Sequence, residues 1–438
     1  MLSPLQTKRF TSGTHGASST MKKALIFLAI VGWMAGSAWA QTAAKSTAAE
    51  GAWVASWGAS QQIPEPQNAL PADDLRDVTV RQIFHLSVGG QALRVHLSNA
   101  FGTGALHLIS VHVAQPLSAS SPEIDPQSDR QLTFAGDTQV TIPPGAEFVS
   151  DPLQFPVPPL SDLAVTFYID LPPSRETGHP GSRATSYYLH GNAAGQANLS
   201  EAKHADHWYQ VAEIDVQAAP GASAVVALGD SITDGHGAIT NGNDRWTDVL
   251  AQRLQGKLET RTIGVSNQGI GGNHLLTDGL GPNALARFDR DVLAPAGVRW
   301  VIVFEGVNDL GDLARDGEVS PAEHAALVSR VLAAYQQIIA RAHAHGLRAY
   351  GATITPYAGS SYYHPGPLSE EDRQRVNQWI RAAGHFDAVI DFDNVLRDPQ
   401  HPSQLLPAYD SGDHLHPSPA GYKAMGDAVP LALFARGL

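Results

Sequence analysis

The chain has 438 residues, no cysteine, 29 Lys and Arg against 42 Asp and Glu, and 43% hydrophobic residues. That length exceeds one ordinary domain, so two are expected, and a charged fraction of only 16% is globular composition rather than that of a disordered chain. The acidic balance argues against a nucleic-acid partner, and zero cysteines exclude disulfides, thiolate nucleophiles and Fe–S clusters.

The first forty residues read as an address. Met21-Lys22-Lys23 precedes an uncharged stretch, Ala24 to Ala40, that ends in Ala38-Trp39-Ala40. A basic start, an apolar core and small residues two apart describe a secretory signal peptide cut after Ala40, with residues 1–20 an upstream extension. The stretch has 17 residues and contains Gly32, Gly36 and Ser37. It falls short of the ~20 apolar residues a membrane anchor needs. Cleavage removes four positive charges and no acid, leaving net charge −17 over 398 residues. A secreted or periplasmic protein with no stable membrane anchor is expected.

From Trp53 to about Val216 the apolar period is two. Leu93, Val95 and Leu97 alternate with Arg94, His96 and Ser98, and Leu163, Val165, Phe167, Ile169 and Leu171 repeat the pattern. Gly89-Gly90 reads as a hairpin turn between the Phe84–Val88 and Leu93 strands. Six prolines between Pro143 and Pro159 exclude helix there. Residues 51–216 are therefore expected to form an all-β sandwich, jelly-roll-like.

After a linker-like stretch, Gln217 to Ser223, apolar runs alternate with helical periods. Ala224–Leu228, Trp300–Phe304 and Ala388–Phe392 read as buried strands. Ser320, Pro321 and Glu323 open a helix whose face is Leu327, Val331, Tyr335, Ile338 and Ala342, and Gly346 ends it. Residues 222–438 are expected to form a doubly wound parallel sheet.

Four points in this half carry chemistry. Gly229-Asp230-Ser231 follows the first strand, which puts Ser231 at the crevice beyond the strand ends, near a helix amino end. A helix-capping turn has the same composition. Asn267-Gln-Gly269-Ile-Gly271-Gly272-Asn273 follows a short strand near Thr262–Val265 and lets backbone N–H groups approach a ligand, as does any tight glycine turn. It lacks dinucleotide-fingerprint spacing. Gly306-Val307-Asn308-Asp309 offers a carboxamide to an oxyanion, or simply turns the chain. In Asp413-His414-Leu415-His416, Asp413 can reach His416 Nδ1–H and leave Nε2 free for a serine proton. A metal at His414-x-His416 is the rival, with no third ligand at motif spacing.

In this order the four points resemble the blocks of the SGNH/GDSL hydrolase superfamily over about residues 222–438. Ile232 stands where the family name has leucine. Gly272 is taken as the block-two glycine over Gly271 because it lies five residues after Asn267. Segments such as Trp53…Trp57-Gly-Ala-Ser60 and Leu97-Ser-Asn-Ala-Phe-Gly102 are similar to a secreted subgroup of acyl esterases with an N-terminal β-domain. The resemblance implies a flavodoxin-like sheet, a Ser231-His416-Asp413 triad, an oxyanion hole of Ser231 N–H, Gly272 N–H and the Asn308 amide, and no metal or organic cofactor. It implies a small-molecule or polysaccharide ester as substrate, most simply a short acyl group on a carbohydrate. Tyr357, Tyr362, Tyr363 and His364 are candidate cleft residues, or else a packed surface loop. Aryl or lipid esters, acyl transfer, or a non-catalytic carbohydrate-binding protein are the alternatives, and oligomeric state is open.

Overall fold

The computed structural model describes residues 51–435, which belong to one compact unit; the expected leader and its cleavage site at Ala40 lie outside them. Among the described residues no helix is long and apolar enough to cross a bilayer.

The first half is a sandwich of two antiparallel sheets. One brings Ala52–Gly58 beside Val211–Ala218 and then Gly90–Ser98. The other runs from Ser186–His190 through Val78–Leu86 and Ser161–Ile169 to Leu106–Ala114. Alternate residues of both sheets, among them Val54, Phe84, Val95, Val111, Phe167 and Ile214, share one core. Each such side chain contributes about 1.5–3 kcal/mol relative to exposure. The predicted alternation holds at Leu93, Val95 and Leu97 and from Leu163 to Ile169. Leu171 departs from it, lying past the strand end and exposed.

Gly89-Gly90 does not close a hairpin. Val78–Leu86 and Gly90–Ser98 belong to different sheets, so the glycines carry the chain across the sandwich edge. A Cβ on Gly89 would sit 2.6 Å from the Val157 carbonyl, and one on Gly90 2.8 Å from that of Gln217. Crowding by neighbouring backbone, not turn geometry, demands glycine here. The linker is also tighter than expected. Gln217 and Ala218 finish a strand, and Ala222 and Ala224 join the sandwich core.

The second half is a five-stranded parallel sheet in the spatial order Ile263–Gly269, Ser223–Gly229, Val298–Phe304, Arg348–Ala352, Ala388–Ile390. In chain order this is 2-1-3-4-5, the flavodoxin-like order, with its switch point beside the first strand. Both faces are apolar. Val226, Leu228, Val301 and Val303 pack toward the Pro321–Ala344 helix, and Val225, Ala227, Ile302 and Phe304 toward Trp246–Gln255 and Pro419–Ala428. The Pro321–Ala344 helix carries the expected capping box and buries the expected face. The last strand is shorter than its apolar run, because Asp391 turns outward to cap a helix at Phe392–Leu396. The Arg348–Ala352 strand was not singled out in the sequence.

Register places the chemistry. Gly229 is paired with both Gly269 and Phe304, so the three strands that precede the motifs end at one level. Their loops therefore emerge side by side.

The sandwich lies along the free edge of this sheet. Its first strand approaches so closely that a Cβ on Gly264 would meet the Ala55 carbonyl at 2.1 Å. The Ser87 hydroxyl donates to the Ser56 carbonyl at 2.5 Å and accepts from Val265 N–H at 2.8 Å, which gives one outward donor of the edge strand a partner. Gly264→Val should lower stability by about 1–3 kcal/mol, because neither backbone can yield to the added volume. Urea denaturation checks this, and wild-type stability would show that the halves can part here without cost.

Candidate active site

Asp230 ends the first strand and caps the short helix Ser231–Asp234, accepting from Ile232 N–H at 2.9 Å. Gly235, at φ 101°, ends it one turn later. Ser231 is thus held at a helix start, almost buried, with Oγ 2.8 Å from His416 Nε2. His416 Nδ1 donates to Asp413 Oδ2 at 2.6 Å, which leaves Nε2 as the acceptor for the serine proton. Asp413 Oδ1 accepts the N–H groups of His416 and Leu415 at 2.8 and 3.0 Å. Burial works to raise the Asp413 carboxyl, but the His416 ring bond and these N–H bonds outweigh it and hold it well below the usual range. His414, its neighbour, faces away to Asp410 at 2.6 Å, so the His-x-His pair does not converge.

The second and third blocks are fastened to each other. Gly272 sits at φ 65°, a left-handed conformation natural to glycine, and its N–H has no acceptor among the described residues. Gly306, at φ 114°, turns the chain into the Val307–Leu313 helix. There Asn308 spends one amide hydrogen on the Asn273 carbonyl at 2.6 Å and keeps the other free. Asp309 accepts from Leu275 and Leu276 N–H at 2.9 and 3.1 Å. Asn267 lies within its strand and donates at 2.7 Å to the carbonyl of Thr233, in the Ser231–Asp234 helix.

Beneath them lies Arg287, whose side chain is fully buried. It donates to the Gly229 carbonyl at 3.0 Å and the Gln268 carbonyl at 2.6 Å, to Asn273 Oδ1 at 2.9 Å, and to Glu305 Oε1 at 3.2 Å. It also reaches Asp291 Oδ2 at 3.0 Å and, from the sandwich, Ser60 Oγ at 2.7 Å. One guanidinium thus touches the end of every strand that leads to a motif. The acids around it are crowded. Burial pushes Asp230 up to about 7, against the Ile232 N–H bond, with Asp309 and Asp234 adding to the rise and Arg287 opposing it. Burial and the nearby Asp230 likewise raise Glu305 far above its ordinary range.

Of the cleft candidates, Tyr357 and Tyr363 are buried in the core below the sheet ends, so neither offers a ring face to a ligand. Tyr363 instead donates its O–H to Asn308 Oδ1 at 2.5 Å, orienting the amide. Tyr362 is 55% exposed and stacks with the Arg315 guanidinium, 4.5 Å from its ring. His364 is exposed at φ 47°. The residues that sequence reading missed are Arg287, the Tyr363 contact, and His236, whose ring lies 4.0 Å from that of His416. Its place directly after the Ser231–Asp234 helix and Gly235 was the available signal.

The pattern that defines the GDSL-like lipase/acylhydrolase family matches residues 225–429, from the first parallel strand into the last helix of the sheet. With this fold it makes the protein an ester-hydrolysing enzyme. Its α/β half belongs to the GDSL-like lipase/acylhydrolase family, as the four blocks implied. Similar solved structures include a lipolytic protein of the G-D-S-L family from Desulfitobacterium hafniense DCB-2, at 25% identity over 47% of this chain and 97% of that one, TM-score 0.35. Another is the acetyl xylan esterase AlAXEase, at 21% over 47% and 96%, TM-score 0.35. A third is the M. smegmatis aryl esterase, at 18% over 49% and 99%, TM-score 0.36. No match is found among curated proteins.

Two substitutions separate the roles below the site. Tyr363→Phe should lower kcat about tenfold with KM little changed, since it frees the Asn308 amide to rotate. Arg287→Met should cost about 3–5 kcal/mol of stability, since it strands Asp291 and Glu305 without their partner. Steady-state kinetics and urea denaturation measure the two.

Proposed function

We propose that the protein is a secreted serine esterase that removes short acyl groups from a carbohydrate, with Ser231 as nucleophile. The observation that carries this reading is the continuous hydrogen-bonded line from Asp413 through His416 to Ser231 Oγ. Ser231 attacks the ester carbonyl as His416 Nε2 takes its proton, and Asp413 holds the imidazole and stabilises its charged form. The free N–H groups of Ser231 and Gly272 and the remaining amide hydrogen of Asn308 receive the oxyanion. His416 then gives its proton to the departing alcohol, takes one from water, and the acyl group leaves as the acid. Every step is a proton transfer or an acyl transfer among these side chains, which can proceed without a cofactor.

Two features favour a small acyl group on a sugar. The apolar Leu280 side chain stands beside Gly272, 3.4 Å from where a Cβ would be, and could contact a small acyl group at the oxyanion position. The exposed Tyr362 ring is 4.7 Å from Tyr363, whose hydroxyl holds Asn308, so a sugar stacked on Tyr362 would lie near the reacting carbonyl. The signal-like segment before Ala40 supports export.

Ser231→Ala should lower kcat on p-nitrophenyl acetate by about 10⁴-fold or more. A rate that survives this change sinks the assignment. Acetate release from acetylated xylan, pectin and chitin oligomers, compared with release from p-nitrophenyl acetate, tests the carbohydrate preference. N-terminal sequencing of exported protein should begin at Gln41.

A further inference from the structure

One segment of the sandwich half runs close to the triad. Between the strands Gly178–His179 and Ser186–His190 the chain passes beside the nucleophile's helix and is tied to it three times. His179 Nε2 meets Asp234 Oδ1 at 2.8 Å. The Ser182 carbonyl accepts from Arg245, which also donates to the Asp234 carbonyl at 2.7 Å. Arg183 Nη2 donates to His236 Nδ1 at 3.1 Å.

Arg183 is held in place to make that contact. Its backbone adopts φ 48°, an uncommon conformation for a non-glycine residue, and its carbonyl accepts from Asn241 N–H at 2.9 Å. The Asn241 side chain exchanges two further hydrogen bonds with Thr185, at 2.8 and 2.9 Å. His236 is equally fixed. Its N–H donates to the Ser231 carbonyl at 2.9 Å, and its own carbonyl accepts from the Tyr422 hydroxyl at 2.7 Å. Its ring then lies against His416, 4.0 Å between centroids at an interplanar angle of 37°.

We infer that Arg183 and His236 are positioning residues for the triad: the sandwich half, through Arg183, fixes His236 as a neutral imidazole that backs the catalytic base. The inference rests on the serine-esterase reading above. Arg183 donates to Nδ1, so Nδ1 must carry a lone pair, and the single ring proton sits on Nε2. The groups facing this ring are His416, Arg183, Asp413 and Asp234. Partial burial, His416 and Arg183 push His236 down to about 4, and the two carboxylates do not reverse the shift. Neutrality matters because His416 must gain a proton during the reaction. A charged ring stacked on it would oppose that step, whereas a neutral one holds its rotamer without electrostatic cost.

The consequence is a pH signature that simple packing would not have. The acid limb of kcat/KM on p-nitrophenyl acetate reports loss of neutral His416. Removing a neighbouring cation favours protonation, so Arg183→Met should let His236 titrate in the same range. The limb should steepen and move to higher pH by about half a unit to one unit. Arg183→Lys retains the charge and should keep the wild-type profile. In a His236→Phe background, where the stacked ring cannot titrate, Arg183→Met should no longer steepen the limb and should shift it less. The His236 Cε1–H resonance should titrate near pH 4 in the full-length wild type and higher in Arg183→Met. A rate lowered equally at every pH, or a shift as large in the His236→Phe background, would overturn the inference. A wild-type protein that hydrolyses no ester at any pH would instead overturn the reading on which it rests.

Discussion

Three of the four blocks at the active end of the sheet hang on the buried Arg287 guanidinium. Three loops must meet with atomic precision, yet each leaves a different strand and none is bonded covalently to another. A planar fork of five N–H donors can reach several acceptors at once in fixed directions, which a lysine's point charge cannot do. Here it collects the Gly229 and Gln268 carbonyls, the Asn273 side chain and the Glu305 carboxylate. Burying such a charge costs several kcal/mol before its partners compensate, so well-packed apolar residues could serve stability as well. The gain is geometric: the level set by the parallel register at Gly229, Gly269 and Phe304 is locked by a single group beneath it.

The same group explains why the two halves behave as one unit. Ser60 of the sandwich accepts from Arg287 and donates to Asp291 Oδ2 at 2.6 Å, so it closes the network from the other side. Gln268 Oε1 lies 2.9 Å from the same hydroxyl. The sandwich therefore supports the Ser223–Gly229 strand through Ser60 and Arg287, the Ser231–Asp234 helix through His179, and the turn after it through Arg183. Support on two sides suits the proposed acyl transfer, which depends on ångström-level placement of base and donors.

Much of this was legible in the chain. Strands buried on both faces read as continuous apolar runs, and the three-residue interval from Asp413 to His416 is short enough for the carboxylate to meet the ring within one turn. Other features were not legible, for physical reasons. Gly89-Gly90 has hairpin composition, but whether flanking strands pair depends on partners far away in sequence, here Ser161–Ile169 and Val211–Ala218. Tyr357 and Tyr363 sit in a polar, turn-rich stretch that reads as surface, and only the tertiary fold reveals that it covers the Val307–Leu313 helix. Arg287 offers no signal at all. A lone arginine in a short helix is ordinarily solvated, and its role exists only where three distant loops converge.

The Ser87 hydroxyl on Val265 has a consequence for how such a protein can be inherited and handled. An open parallel sheet has two edges, and an unprotected edge strand is a template for pairing with other chains. The sandwich acts as the cover for one of them. Catalytic halves cut free of it would carry an uncovered Ile263–Gly269 strand, with Gly264 leaving a smooth, side-chain-free groove along which another strand could dock. The β-half thus shields that edge within the same chain, and the two halves are expected to travel together rather than be exchanged as separate modules.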